Sequence, residues 1–154
     1  SQPAWSRDGK QIAFVRGDYY SQLYTMNADG SDQLPFTSLN QFNNVTPIWS
    51  LDGEVIYFCQ VPPDGSSVPF LASLRLSERG RDKMIFRIPS NSTPSNMVTL
   101  PSISPDGQWF VFERWSTGLN HEIYRMSVNG IDTVQLTDLA TFEFDPVWRP
   151  LITP

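Results

Sequence analysis

The phrase Pro3-Ala4-Trp5-Ser6-Arg7-Asp8-Gly9 returns as Pro47-Ile48-Trp49-Ser50-Leu51-Asp52-Gly53 and again as Pro101-Ser102-Ile103-Ser104-Pro105-Asp106-Gly107. A fourth copy opens as Pro146-Val147-Trp148-Arg149, but Pro150-Leu151-Ile152 stands where Asp-Gly would follow. Repetition at this period marks stacked supersecondary units, each unable to bury its apolar face without a neighbour. The repeat therefore decides the class of fold. It decides less about activity, because no catalytic constellation stands out anywhere in the chain.

Each unit reads as four short strands. The first is Pro-x-Trp-Ser, closed by the Asp-Gly turn. In Ser104-Pro105-Asp106-Gly107 the proline fixes φ near −65°, which rules out a type I′ turn. A type I turn with Pro105 at its second position and Gly107 in the left-handed conformation fits a three-residue hairpin with a bulge. The second strand is apolar without alternation: Ile12-Ala13-Phe14-Val15, Val55-Ile56-Tyr57-Phe58 and Trp109-Phe110-Val111-Phe112. Such a strand is covered on both faces. The third is Leu23-Tyr24-Thr25-Met26 in the first unit and Ile123-Tyr124-Arg125-Met126 in the third, each with a turn glycine four residues on (Gly30, Gly130). In the middle unit Leu74 and Leu76 are read in place of the Tyr and Met, with Gly80 following. The fourth ends in Leu34-Pro35-Phe36-Thr37, Met84-Ile85-Phe86-Arg87 and Val134-Gln135-Leu136-Thr137, where the internal proline suits an edge strand.

Four antiparallel strands per unit of roughly 45 residues is the arithmetic of a β-propeller blade. The fold expected is all-β: three four-stranded blades plus the first strand of a fourth, a partial or oligomer-completed propeller. The chain is read as one segment, 1–154, with blade units at about 3–46, 47–100 and 101–145 and a closing strand at 146–149. The phrase, the Ile-x-Phe strand and the Leu/Ile-Tyr-x-Met-Asn/Ser-x-x-Gly run together resemble the WD-like propeller repeat of the TolB type. Related repeats occur in the propellers of tricorn-like and prolyl-oligopeptidase-like proteases. The resemblance spans Pro3 to Trp148. It weakens in the middle unit, which lacks Tyr-x-Met, and at Ile103, where the other copies have Trp.

Composition agrees with this class. The 154 residues include five Trp, five Tyr and ten Phe, enough for a sizeable core, while thirteen prolines and nine glycines interrupt any long helix. The net charge of −5 argues against nucleic acid or an anionic membrane as the main partner. No apolar stretch approaches the roughly 20 residues that span a bilayer. The lone cysteine, Cys59, sits in an apolar run and reads as a small buried hydrophobe without a disulfide partner. Ser1 stands where an initiator Met would, so the sequence is read as a processed or trimmed product.

Function is expected where the repeat is irregular. Proline-to-proline spacings are 44 (3 to 47), 54 (47 to 101) and 45 (101 to 146). From first to second turn glycine the spans are 21 (9 to 30), 27 (53 to 80) and 23 (107 to 130). The middle unit's excess is assigned to the 2–3 loop around Pro62-Pro63-Asp64-Gly65-Ser66-Ser67 and to the blade connection around Ser90–Asn96. In an up-and-down sheet these two kinds of loop emerge together, and insertions on repeats gather on one face, often the binding face. A partner is accordingly expected on the face made by 61–70, 90–99, 38–46, 115–121 and 138–145. In such a fold the residues just before each Pro-x-Trp lie at the mouth of the central channel. The candidate contacts are Asn44, Thr46, Asp64, Ser66, Asn91, Asn96, His121, Glu143 and Asp145.

Enzymatic and metal readings find little support in the residues. His121 is the only histidine and has no second His or cysteine cluster to make a zinc site, so it reads as a loop histidine. Gly65-Ser66-Ser67 lacks the second glycine of a nucleophile elbow. Asn27-Ala28-Asp29-Gly30-Ser31-Asp32 lacks the closing glutamate of a calcium loop and reads as a turn. Arg75, Arg79, Arg81, Lys83 and Arg87 are diluted by Glu78 and Asp82 and read as a solvated turn. Asn44-Val45-Thr46 and Asn91-Ser92-Thr93 fit the glycosylation triplet, but the repeat type looks bacterial.

The expected function is a non-enzymatic propeller scaffold for protein–protein interaction, with no catalytic residues, cofactor or metal. The TolB resemblance implies a periplasmic, extracellular or cell-surface setting. The expected partners are proteins or further blades, including a second copy that completes a six-bladed ring or the neighbours in a larger complex. Neither nucleic acid nor membrane insertion is expected. The alternatives are the gating propeller of a prolyl-oligopeptidase-like or tricorn-like protease whose hydrolase domain lies outside this chain, and an accessory subunit of a larger assembly.

Overall fold

Three prolines and three turn glycines organise the backbone. In the computed structural model, residues 3–37, 42–63, 70–78, 84–86, 98–115, 121–138 and 141–149 are described. They form three four-stranded antiparallel sheets, each in simple sequential order, with one 3-10 turn at Leu76–Glu78. The strands are β1 (Ala4–Trp5), β2 (Gln11–Arg16), β3 (Gln22–Asn27) and β4 (Leu34–Pro35) in the first sheet. The second contains β5 (Asn43–Trp49), β6 (Val55–Val61), β7 (Phe70–Arg75) and β8 (Met84–Phe86). The third contains β9 (Val98–Ile103), β10 (Trp109–Trp115), β11 (His121–Ser127) and β12 (Thr133–Gln135). The chain divides into two compact units, Ser1–Phe86 with the first two sheets and Arg87–Pro154 with the third.

The Ser-x-Asp-Gly turn is built the same way three times. Gly9, Gly53 and Gly107 have φ of 70°, 74° and 72°, and each donates its N–H to the Ser carbonyl three residues back, at 3.0, 3.1 and 2.8 Å. The Ser hydroxyl donates to the Asp carboxylate, as in Ser6 Oγ to Asp8 Oδ1 (2.7 Å) and Ser50 Oγ to Asp52 Oδ1 (2.6 Å). That Ser oxygen also accepts the first N–H of the next strand, from Gln11, Val55 and Trp109, each at 2.9 Å. These bonds hold the carboxyls of Asp8, Asp52 and Asp106 below their ordinary value, the serine hydroxyl being the largest cause and a backbone N–H the next.

The proline of the phrase has a different task from the one its position suggested. It does not start the strand; β5 begins at Asn43 and β9 at Val98, upstream of Pro47 and Pro101. The ladders shift by one residue between Val45 and Ile48 opposite β6, and again within β9 opposite Val111 and Glu113. Each proline thus lies in a β-bulge, where the missing N–H costs no ladder bond. Thr46, just before Pro47, takes a φ of 51°, and Asp145, just before Pro146, takes 50°. The fourth copy therefore starts with the same backbone turn as the second, yet Pro146–Arg149 is not a strand here. A strand needs a ladder partner, and the described residues offer this segment none. What it keeps is the tryptophan anchor: Trp148 Nε1 donates to Ser102 O at 3.1 Å, as Trp49 Nε1 donates to Ala4 O at 2.9 Å.

Register also corrects the middle unit. Ile56 pairs with Leu74 as Ile12 pairs with Met26, and Phe58 with Ala72 as Phe14 with Tyr24. Leu74 therefore takes the Met position and Ala72 the Tyr position, while Leu76 lies beyond the strand in the 3-10 turn. Leucine at both 74 and 76 satisfies a period of two, so the sequence pattern could not choose between the frames. Part of the insertion assigned to the 2–3 loop consequently lies after β7.

The core of the first unit joins one face of the first sheet to one face of the second. Ala13, Leu23 and Phe36 pack with Trp49, Ile56, Phe58, Ala72 and Leu74, all buried. In the third sheet Phe110, Phe112 and Met126 are fully buried. These central strands are apolar on both faces, as expected for sheets that are covered on both sides.

Candidate functional site

At one end of the first sheet, the 2–3 loop (residues 17–21) and the connection into the second sheet come together. Ser21 N donates to Asn43 Oδ1 (2.8 Å), and Asn44 N donates to Ser21 O (2.7 Å). The third sheet repeats this arrangement, with Glu143 N donating to His121 O at 3.2 Å. In the first and the third sheet, each by itself, the start of the third strand thus meets the connection that follows the sheet.

Asn44 is the centre of a buried polar chain. Its Nδ2 donates to Gln22 Oε1 (2.9 Å) and its Oδ1 accepts from Gln60 Nε2 (2.9 Å). Thr37 Oγ1 donates to the same Gln22 oxygen at 2.8 Å and accepts Leu23 N at 3.0 Å. All four side chains are buried, Asn44 completely. The expectation that Asn44 contacts a partner is therefore corrected: it ties the first sheet to the second, because a buried amide is costly unless every polar atom is matched. Thr46 likewise turns inward, hydrogen-bonding the Cys59 side chain. Burial pushes the Cys59 thiol up to about 11, so it is a packed hydrophobe and not a nucleophile.

The third sheet uses the same positions with acids. Glu122 stands where Gln22 does, and Thr137 Oγ1 donates to its Oε2 (2.7 Å) while accepting Ile123 N (2.8 Å). Glu143 takes the place of Asn44 and Asp145 that of Thr46. Glu113, buried in β10, accepts Asp145 N at 2.6 Å and lies 3.6 Å from His121 Nδ1. The Phe142 and Phe144 rings meet His121 edge-on at centroid distances of 5.5 and 4.9 Å while staying exposed to solvent. His121, Glu143 and Asp145 are thus brought together beside two exposed aromatics. Asp64, Ser66, Asn91 and Asn96 lie outside the described residues.

Two residues of this face escaped the sequence reading. Tyr19, 93 % exposed, and Tyr20 occupy the 2–3 loop of the first sheet, packed edge-on at 6.4 Å. The signal was present, since a Tyr-Tyr pair between two strand runs in a loop has no core to enter. Loop length alone points to the longer middle loop instead. Among the described residues no group of three or more His, Cys, Asp or Glu could hold a metal ion, and no helix is long and apolar enough to cross a membrane.

No protein-family model matches the chain. Among solved structures it superposes on TolB from Acinetobacter baumannii with a TM-score of 0.70 and 24 % identity, over 92 % of this chain and 33 % of that one. It superposes on a prolyl endopeptidase with a TM-score of 0.69 and 18 % identity, over 91 % of this chain and 22 % of that one. By sequence it is 26 % identical to the uncharacterized peptidase YuxL of Bacillus subtilis (strain 168), over 82 % of this chain and 24 % of the relative. The chain therefore spans a third or less of the length of these proteins. Its three sheets are β-propeller blades, the fold that it shares with TolB and with the prolyl endopeptidase.

Proposed function

We propose that this chain is a non-enzymatic propeller scaffold that binds a protein partner on the face carrying the 2–3 loops and blade connections. The observation that supports this most is exposed aromatic area beside such a loop or connection in each compact unit by itself: Tyr19 and Tyr20 in the first, Phe142 and Phe144 in the second. Large rigid rings set among polar groups are the side chains that anchor protein interfaces. The TolB-like blades favour an exported, periplasmic or cell-surface setting. Affinity capture from an envelope extract tests the reading. The wild type should retain a partner that is lost from a Tyr19→Ser/Tyr20→Ser variant and from one with residues 62–67 replaced by a two-residue turn. Full retention by both variants refutes it.

A second reading is favoured by the YuxL match: the chain is the propeller of a peptidase. The gene product as a whole would then carry a Gly-x-Ser-x-Gly serine and react with a fluorophosphonate probe. A full-length product that is inert to the probe leaves the scaffold reading standing.

A further inference from the structure

We propose that Asn129 is a self-modification site: it loses its side-chain amide to the Gly130 nitrogen, and the turn between β11 and β12 both restrains the reaction and accepts its aspartate product. Ser127-Val128-Asn129-Gly130 is built like the Ser-x-Asp-Gly turns. Gly130 has a φ of 76° and donates its N–H to Ser127 O at 2.8 Å, as Gly107, with a φ of 72°, does to Ser104 O at 2.8 Å. Ser127 Oγ donates to Asn129 Oδ1 (2.5 Å), Ile131 N donates to the same oxygen (3.1 Å), and Asp132 N donates to Ser127 Oγ (3.0 Å). The Asp106 turn has the same three bonds, with Ser104, Gln108 and Trp109 as donors. Among the described residues five glycines have a positive φ, and four of them follow an aspartate: Asp8, Asp29, Asp52 and Asp106. All four carboxyls are held below their ordinary value, by a serine hydroxyl first and a backbone N–H next. Asn129 presents an amide to the same cradle of donors, which favours a carboxylate.

Glycine after asparagine opens this route, because no Cβ obstructs the attacking nitrogen. The Gly130 nitrogen gives up its proton and bonds to Asn129 Cγ; the Cγ–Nδ2 bond breaks, and ammonia leaves carrying that proton. Water then opens the succinimide. Cleavage of the new N–Cγ bond leaves aspartate, whereas cleavage of the original peptide bond leaves isoaspartate, whose extra backbone carbon displaces Gly130 from Ser127 O. The sister turn of Asp29 shows that a carboxylate is accepted with another acid, Asp32, three residues on. While the Gly130 N–H is donated to Ser127 O, its proton is withheld from base, so the turn must open before the ring can close. Ser127 Oγ and Ile131 N also polarise Asn129 Cγ, but this has no effect until the nitrogen is released. Ser127, which ties both Asn129 and Asp132, therefore sets the rate. Every reacting atom lies in Asn129 and Gly130, and water is the one co-reactant.

Peptide mapping by mass spectrometry during incubation in mildly alkaline buffer tests the inference. The folded wild type should exchange amide for acid at Asn129, more slowly than the same protein held unfolded in guanidinium. Ser127→Ala, checked for folding by its urea midpoint, should react about tenfold faster than wild type. If that variant does not fold, the comparison of folded with unfolded wild type carries the restraint by itself. Asn129→Asp, which has the sequence of the aspartate product, should match or exceed the urea midpoint of wild type near neutral pH, and Asn129→Ala should fall below both. The inference is overturned by a folded wild type that stays unconverted while the unfolded protein reacts, by equal rates in the two states, by a folded Ser127→Ala no faster than wild type, or by an Asn129→Asp midpoint no higher than that of Asn129→Ala.

Discussion

Asn44→Ala tests whether the buried amide chain is what binds the first sheet to the second. The substitution deletes the acceptor for Gln60 Nε2 and the donor to Gln22 Oε1, both at 2.9 Å and both out of water. The backbone bond to Ser21 O is kept, and Gln22 Oε1 retains Thr37. Each buried group that loses its partner costs about 1–3 kcal/mol, so the variant should lose about 2–4 kcal/mol, or about 5–15 °C in Tm for a chain of this size. Asn44→Asp sharpens the test. It keeps the acceptor for Gln60 but turns an oxygen toward Gln22 Oε1, so burial raises the new carboxyl's pKa in the folded state. Such a group is tolerated below the ordinary carboxylate range, where it is protonated in both states, and its stability is lost as pH rises through the raised value. The deficit relative to wild type should therefore be larger at about pH 7 than at about pH 4. Urea denaturation followed by tryptophan fluorescence reads both effects, with the exposed Tyr19→Ala as the surface control. If Asn44→Ala stays within about 0.5 kcal/mol of that control, the polar chain is incidental to the junction.

Other consequences follow from the same geometry. Trp49→Phe removes the bond to Ala4 O and should cost about 1–2 kcal/mol in a chemical melt, more than Trp148→Phe, whose indole is only half-buried. Cys59 should resist a thiol reagent at mildly alkaline pH until denaturant is added, since its thiol is buried and pushed up to about 11; rapid labelling of the native protein would contradict this. The depressed carboxyls of Asp8, Asp52 and Asp106 stabilise the fold above the ordinary aspartate value of 3.8, and that contribution is lost as pH falls through their lower folded values. Replacing Ser6, Ser50 and Ser104 together by Ala should flatten the fall in urea midpoint below about pH 4, and an unchanged slope would show that the serines are not its cause.

Much of the fold is legible in the sequence because its determinants are local. The Ser-x-Asp-Gly turn needs one glycine with positive φ and two side-chain oxygens within five residues, and all three copies spell this out. The doubly covered strands announce themselves as apolar runs, and the shared end of the 2–3 loops and blade connections follows from up-and-down order. Two strand assignments went astray where period two is blind to a shift: Leu74 against Leu76, and the start of β5 and β9, set by bulges that Pro47 and Pro101 occupy in mid-strand.

The site was less legible, because burial is a property of the pair of sheets. Asn44 in a polar stretch looks like a surface contact, and only the register opposite Gln60 and the approach of Gln22 make it an interior linker. The same tertiary alignment, with Glu122 and Glu143 in the places of Gln22 and Asn44, shows that the third sheet carries acids where the first junction is neutral. By itself the sequence determined the blade, its turns and the direction in which its loops point. Which polar residues face solvent, and which face a neighbouring sheet, was decided by tertiary structure, because desolvation depends on what packs against a residue and not on its neighbours along the chain.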